Sequence, residues 1–189
     1  PYFTEIQNIF NWEHFAWFFI DDVVYKPSPT EDAIVDIVEY ANMRQPAGFT
    51  HMFVDSMGEE RSPFWPVVKP IADFACARLG FSYKKIIRCK ANLLLPMPRY
   101  GKDDFSGPHI DHSDRDDYIN LGFYPFDSDG DTFLFEETHY DGVPKNVTVK
   151  ERISPMKNRA LLFDGWRYHS SSSPRKYNKR IFINFALEI

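Results

Sequence analysis

At 189 residues the chain is long enough for one domain with a sizeable core and short for two. Hydrophobic residues make up 43% and aromatic residues 17%, the composition of a folded globular protein with many large rings to pack between sheets or around a pocket. A net charge of -5 argues against a general binder of nucleic acid or of anionic membranes; no apolar run approaches the ~20 residues needed to cross a bilayer.

Pro1 to Glu5 carry neither the basic region nor the apolar block of a signal peptide, so the expected compartment is the cytoplasm. Residues 15–25, rich in aromatic and β-branched side chains, predict a strand or a pair of short ones. Thr30 is a candidate cap for a helix that gathers Ile34, Ile37, Val38 and Ala41 on one face. A second helix is predicted after Pro66, with Val67, Val68, Ile71, Ala72, Ala75 and Leu79 on one face and Gly80 as its stop. Cys76 and Cys89 lack metal-type spacing and read as buried small hydrophobes.

From residue 84 onward the pattern is of strands, at 85–95, 107–112, 117–125, 132–137, 147–153, 159–164 and 180–188, with turn signals at Asp129-Gly130 and Asp141-Gly142. Many strands with two early helices predict a β-sandwich or jelly-roll barrel with the helices outside. A single domain over 1–189 is expected, with 1–84 as a supporting region and 85–189 as the barrel. Lys176, Lys179 and Arg180 cluster with Arg175, mostly in a solvated loop.

Alternation divides these strands into two faces. Ile181, Ile183, Phe185 and Leu187 oppose Arg180, Phe182, Asn184 and Ala186. Ile119, Leu121 and Phe123 oppose Tyr118, Asn120 and Tyr124, and Ile87, Cys89, Ala91, Leu93 and Leu95 oppose Arg88, Lys90, Asn92 and Leu94. Where helices cover the apolar face, the polar face of 180–188 lines an interior cavity suited to a charged ligand.

His109-Ile110-Asp111 in an extended segment would project an imidazole and a carboxylate to the same side, toward one cation; His112 would face away. His169 follows the apolar run 159–164 at a strand edge. Two His and one carboxylate on one face of a metal suit non-haem Fe(II), which needs vacant sites, and equally a three-ligand zinc with one water. Arg180 opens the last strand on its polar face, where a guanidinium can pair with the far carboxylate of a metal-bound ligand. Arg175 competes for this role from a flexible polar stretch. A plain zinc hydrolase needs no anion clamp there, and a chelating keto-acid does.

The string His109-Ile110-Asp111…His169…Arg180 resembles the HxD…H…R signature of the Fe(II)/2-oxoglutarate oxygenases, most closely their prolyl 4-hydroxylase-like branch. Tyr100-Gly101, the segment Gly130 to Phe135 (G-D-T-F-L-F) and the segment Ile153 to Phe163 add further likeness, over roughly 85–189. Asn158 and Asp129 stand where that branch usually has Gly, and Gly101 follows Tyr100 at once instead of after two residues. The resemblance implies a mainly β fold with flanking helices (α+β), a double-stranded β-helix or jelly-roll barrel. It implies Fe(II) on His109, Asp111 and His169, and 2-oxoglutarate paired with Arg180 and touched by Tyr100, with ascorbate as an accessory reductant. The implied reaction is hydroxylation of a C–H bond with O₂, releasing succinate and CO₂, on an unidentified peptide or small molecule, a prolyl residue being the family-based expectation. A noncatalytic jelly-roll metal-binding module and a cupin-like zinc or manganese enzyme are the alternatives.

Overall fold

The computed structural model describes residues 1–21, 43–44, 46–98 and 100–189. The helix predicted behind Thr30 and the end of the predicted strand 15–25 lie outside them. The elements run α1 (Tyr2–Asn11), β1 (Phe18–Ile20), β2 (Gly48–Val54), α2 (Trp65–Val68), α3 (Pro70–Arg78), β3 (Lys85–Leu94), β4 (Tyr118–Tyr124), β5 (Thr132–Thr138), β6 (Val149–Ile153), β7 (Arg159–Asp164), β8 (Arg167–Ser171) and β9 (Arg180–Glu188). One six-stranded sheet has the order β1-β2-β3-β9-β4-β7, and a three-stranded sheet has the order β6-β5-β8. After β4 the chain crosses to the smaller sheet for β5 and β6, returns for β7, crosses again for β8 and returns for β9, the winding of a jelly roll.

The apolar faces read from the sequence meet the helices. Ile119, Leu121, Phe123, Ile181, Ile183, Phe185 and Leu187 form one core with Ile6, Ile9 and Phe10 of α1 and with Val68, Ile71 and Ala72 of α2 and α3. The sequence expectation missed α1, although Ile6, Ile9 and Phe10 have helical spacing on its buried face. The single helix predicted after Pro66 is two pieces, because Pro70 has no N–H to continue the ladder and instead starts α3. Gly80 ends it at φ 66°, as predicted. Leu79, placed on the buried face by the sequence, is 61% exposed.

Two further corrections concern strands. A bulge between Ile86 and Arg88 turns Ile87 to the opposite face, where it packs with Tyr118 and Ala186, and Leu95 lies past the strand end and is exposed. The predicted strand 107–112 is irregular apart from a single antiparallel bridge between His109 and His169. Pro108 cannot donate to a ladder, and the chain turns away at His112, whose N–H donates to the Tyr118 hydroxyl at 3.0 Å. This bridge places residue 109 beside β8 at the edge of the smaller sheet. Cys76 and Cys89 are free and buried.

Candidate metal and keto-acid site

A polar pocket opens between the two sheets. β3 and β9 contribute Lys90, Asn92, Arg180 and Asn184, and the facing side contributes the two histidines and Asp111. The polar face of 180–188 therefore lines a cavity, as its alternation predicted.

His109, Asp111 and His169 each present one ligand atom, all within 4.8 Å of one another. The His109–His169 bridge sets both imidazoles side by side, with ring centroids 4.5 Å apart. His109 donates through Nδ1 to the Gly107 carbonyl at 2.9 Å, and His169 through Nδ1 to the Arg167 carbonyl at 3.2 Å. Those bonds fix the tautomer that leaves each Nε2 unprotonated and aimed at a common point. Burial, reinforced by the neighbouring imidazole, lowers the His109 pKa to about 4, and burial lowers that of His169. Both rings are therefore neutral ligands near pH 7.

Asp111 has a side chain only 3% exposed, and burial by itself would raise its pKa. Arg88 beside it, aided by His169 and Lys90, outweighs burial and holds it well below the usual carboxylate range. Arg88 bonds Oδ1 at 2.5 Å, and Asn184 Nδ2 bonds Oδ2 at 2.8 Å. His112 stays outside the cluster, its ring set edge-on against Tyr118.

At the other end of the pocket Arg180 is 2% exposed. Its Nε donates to the Gly130 carbonyl at 2.6 Å and its Nη2 to Thr132 Oγ1 at 2.8 Å; Tyr124 and Thr132 share a hydroxyl bond behind it. It forms no direct ion pair among the described residues, so a buried guanidinium faces the pocket with no carboxylate in contact. Gly130 is required here: a Cβ at that position would strike the Ser172 carbonyl and come within 2.9 Å of Arg180 Cδ. Arg175 lies outside, 3.8 Å from Asp129, which also accepts the backbone N–H groups of residues 175–177. Asp129 thus ties down the loop before Arg180, and Asn158, where the resembling branch usually has Gly, adopts the left-handed conformation at φ 62° that Asn tolerates.

Tyr100 does not line the pocket. It is buried, its hydroxyl has no hydrogen-bond partner among the described residues, and it feels the Arg180 charge. Arg88, Lys90, Thr132 and Asn184 are site residues whose roles the sequence reading left unassigned. Alternation placed Arg88, Lys90 and Asn184 on the pocket face, but nothing local shows which cation meets Asp111.

No known family's sequence profile matches the chain, and no curated protein does. Solved structures do match in fold. The α-ketoglutarate-dependent non-haem epimerase SnoN of nogalamycin biosynthesis aligns with TM-score 0.60 at 9% identity, covering 99% of this chain and 73% of its own. A prolyl hydroxylase from Trichoplax adhaerens, solved with a hypoxia-inducible-factor peptide, aligns with TM-score 0.56 at 14% identity, covering 99% and 78%. A 2OG-Fe(II) oxygenase family protein from Burkholderia pseudomallei aligns with TM-score 0.50 at 21% identity, covering 77% and 68%. The fold of this chain is that of the 2-oxoglutarate- and Fe(II)-dependent oxygenases.

Proposed function

We propose that the protein is an Fe(II)- and 2-oxoglutarate-dependent dioxygenase that hydroxylates a C–H bond. The observation that carries this reading is the pairing, in one pocket, of a two-His, one-carboxylate cluster with a buried guanidinium that has no anionic partner. The donor set fits Fe(II), since two neutral imidazoles and one carboxylate leave positions open. Arg180 fits the distal carboxylate of a keto-acid. Bound together, Fe(II) and 2-oxoglutarate supply the oxidising chemistry: O₂ is consumed, 2-oxoglutarate gives succinate and CO₂, and the substrate gains a hydroxyl.

The chain's own residues bind and orient. His109, Asp111 and His169 would hold the metal; Arg88 and Asn184 keep the carboxylate ionised and aimed, and Arg180 would anchor the cosubstrate. The same ligands suit zinc, but a zinc hydrolase leaves Arg180 without a task. A prolyl residue in a peptide is the substrate suggested by the motif resemblance and by one fold relative; the epimerase among the relatives warns that fold alone does not choose the reaction. Two free buried thiols suit a reducing compartment such as the cytoplasm. Among the described residues no helix is long and apolar enough to cross a membrane.

The test is succinate formation followed by NMR with Fe(II), 2-oxoglutarate and O₂, alone and with a panel of prolyl peptides and free amino acids. Succinate that requires Fe(II) and is lost in His169→Ala supports the reading. Absence of succinate from a folded, iron-loaded protein under every condition would overturn it.

A further inference from the structure

The pocket holds more positive charge than the proposed reaction uses. A divalent metal, the Asp111 carboxylate, the Arg180 guanidinium and a dianionic keto-acid cancel one another. Arg88 and Lys90, which alternate onto the pocket face of β3, remain. Arg88 is bound to Asp111. Lys90 forms neither a hydrogen bond nor an ion pair among the described residues, though it lines the pocket and sits opposite Asn184, the residue that holds Asp111.

Lys90 lines the pocket together with His109, Asp111 and His169, while Arg180 stands four residue pairs further along, opposite Leu94. A pocket-lining ammonium without a protein partner is suited to pair with a negative group of a ligand.

Resting on the oxygenase reading, we propose that Lys90 anchors a carboxylate of the substrate beside the metal, so that the substrate is an amino-acid-sized carboxylic acid or an acidic side chain of a peptide. The carboxylate fixes which C–H bond faces the metal, and the Arg180 end remains for the cosubstrate. Asn92 lies on the same face one step along β3 and accepts a contact from Thr50 at 3.4 Å, so the polar floor continues away from the metal toward β2.

The experiment uses the anaerobic protein loaded with Fe(II) and 2-oxoglutarate, whose visible charge-transfer band shifts when a substrate enters. The probes are the free L-amino acids, their primary amides, and the N-acetyl amides of Asp and Glu. At least one carboxylate should shift the band and bind roughly tenfold or more tightly than its neutral counterpart. A free amino acid identifies a small-molecule substrate, and an Asp or Glu derivative alone identifies an acidic side chain. Lys90→Met should abolish that preference, Lys90→Arg should keep it, and 2-oxoglutarate affinity should change less than about twofold in both, since Arg180 supplies that contact. Should Lys90→Met not fold, the acid-against-amide comparison in the wild-type protein decides. Amides binding as well as acids, no probe shifting the band, or weakened 2-oxoglutarate binding in Lys90→Met would each overturn the proposal. Failure of the wild-type band to form at all would instead overturn the oxygenase reading beneath it.

Discussion

Arg88 and Asp111 form a buried ion pair: Nη2 meets Oδ1 at 2.5 Å, with side chains 15% and 3% exposed. The carboxylate proposed to bind the metal is thus already paired with a fixed cation in the metal-free chain. Replacing Arg88 leaves that carboxylate buried with only Asn184 and the imidazoles around it. Arg88→Gln should destabilise the metal-free protein by ~3 kcal/mol, and Fe(II) or Co(II) should restore a large part by taking over the counter-charge. Urea unfolding with and without metal measures this. Equal losses in both states would contradict a role through Asp111.

Arg180 and Arg175 separate the two candidates for the cosubstrate clamp. Arg180 is buried in the pocket, while Arg175 is partly exposed beside Asp129. Arg180→Ala should raise the 2-oxoglutarate concentration needed for half-maximal activity by roughly 100-fold, the worth of a buried charge-assisted pair, and Arg175→Ala by less than about threefold. Arg180→Lys, which keeps the charge and loses the fork, should fall between them. Equal effects for the two alanine variants would sink the assignment.

Gly130 couples the smaller sheet to that clamp. Its carbonyl accepts Arg180 Nε, and its missing side chain makes room for the Arg180 stem and the Ser172 carbonyl. Gly130→Ala should cost ~1–3 kcal/mol of stability through overpacking and should weaken 2-oxoglutarate binding while leaving metal binding nearly unchanged. Isothermal titration of the two ligands distinguishes this from general unfolding.

The histidines make a pH prediction for the metal-free protein. His109 titrates near 4 in the folded chain and near 6.5 when unfolded, so between those values the unfolded state holds more protons. Stability is therefore complete above about pH 6.5 and falls as the pH drops toward 4, by ~2 kcal/mol from His109 alone between pH 7 and pH 5. His169 and Asp111 shift in the same downward direction and steepen the loss, Asp111 at lower pH. His109→Gln should flatten part of the slope in denaturant unfolding. An unchanged slope would show that His109 is not buried as described.

What the sequence reveals follows from the range of the interactions involved. Strands β3, β4, β7 and β9 are legible because alternation is local and one face of each meets a continuous apolar core. The triad and Arg180 are legible because motif spacing carries them. The segment 107–112 reads as a strand but is a bridge and a bend, since Pro108 and the Tyr118 hydroxyl, nine residues beyond His109, decide its course. β8 is hard to see as a strand because Arg167 to Ser171 is polar, and its burial comes from pairing with β5 and lining the pocket. The Arg88–Asp111 pair joins residues 23 positions apart across the pocket, and no local pattern specifies it.

In the proposed function one pocket binds Fe(II) and 2-oxoglutarate together, through His109, Asp111, His169 and Arg180. The most direct measurement is an anaerobic titration of the apo-protein with Fe(II) and 2-oxoglutarate, watching for the visible metal-to-ligand charge-transfer band, with His109→Ala as control. The expected result is a band that requires both additions and vanishes in the variant. A folded wild-type protein that binds the metal yet gives no band with 2-oxoglutarate would contradict it and favour a zinc enzyme or a noncatalytic metal-binding module.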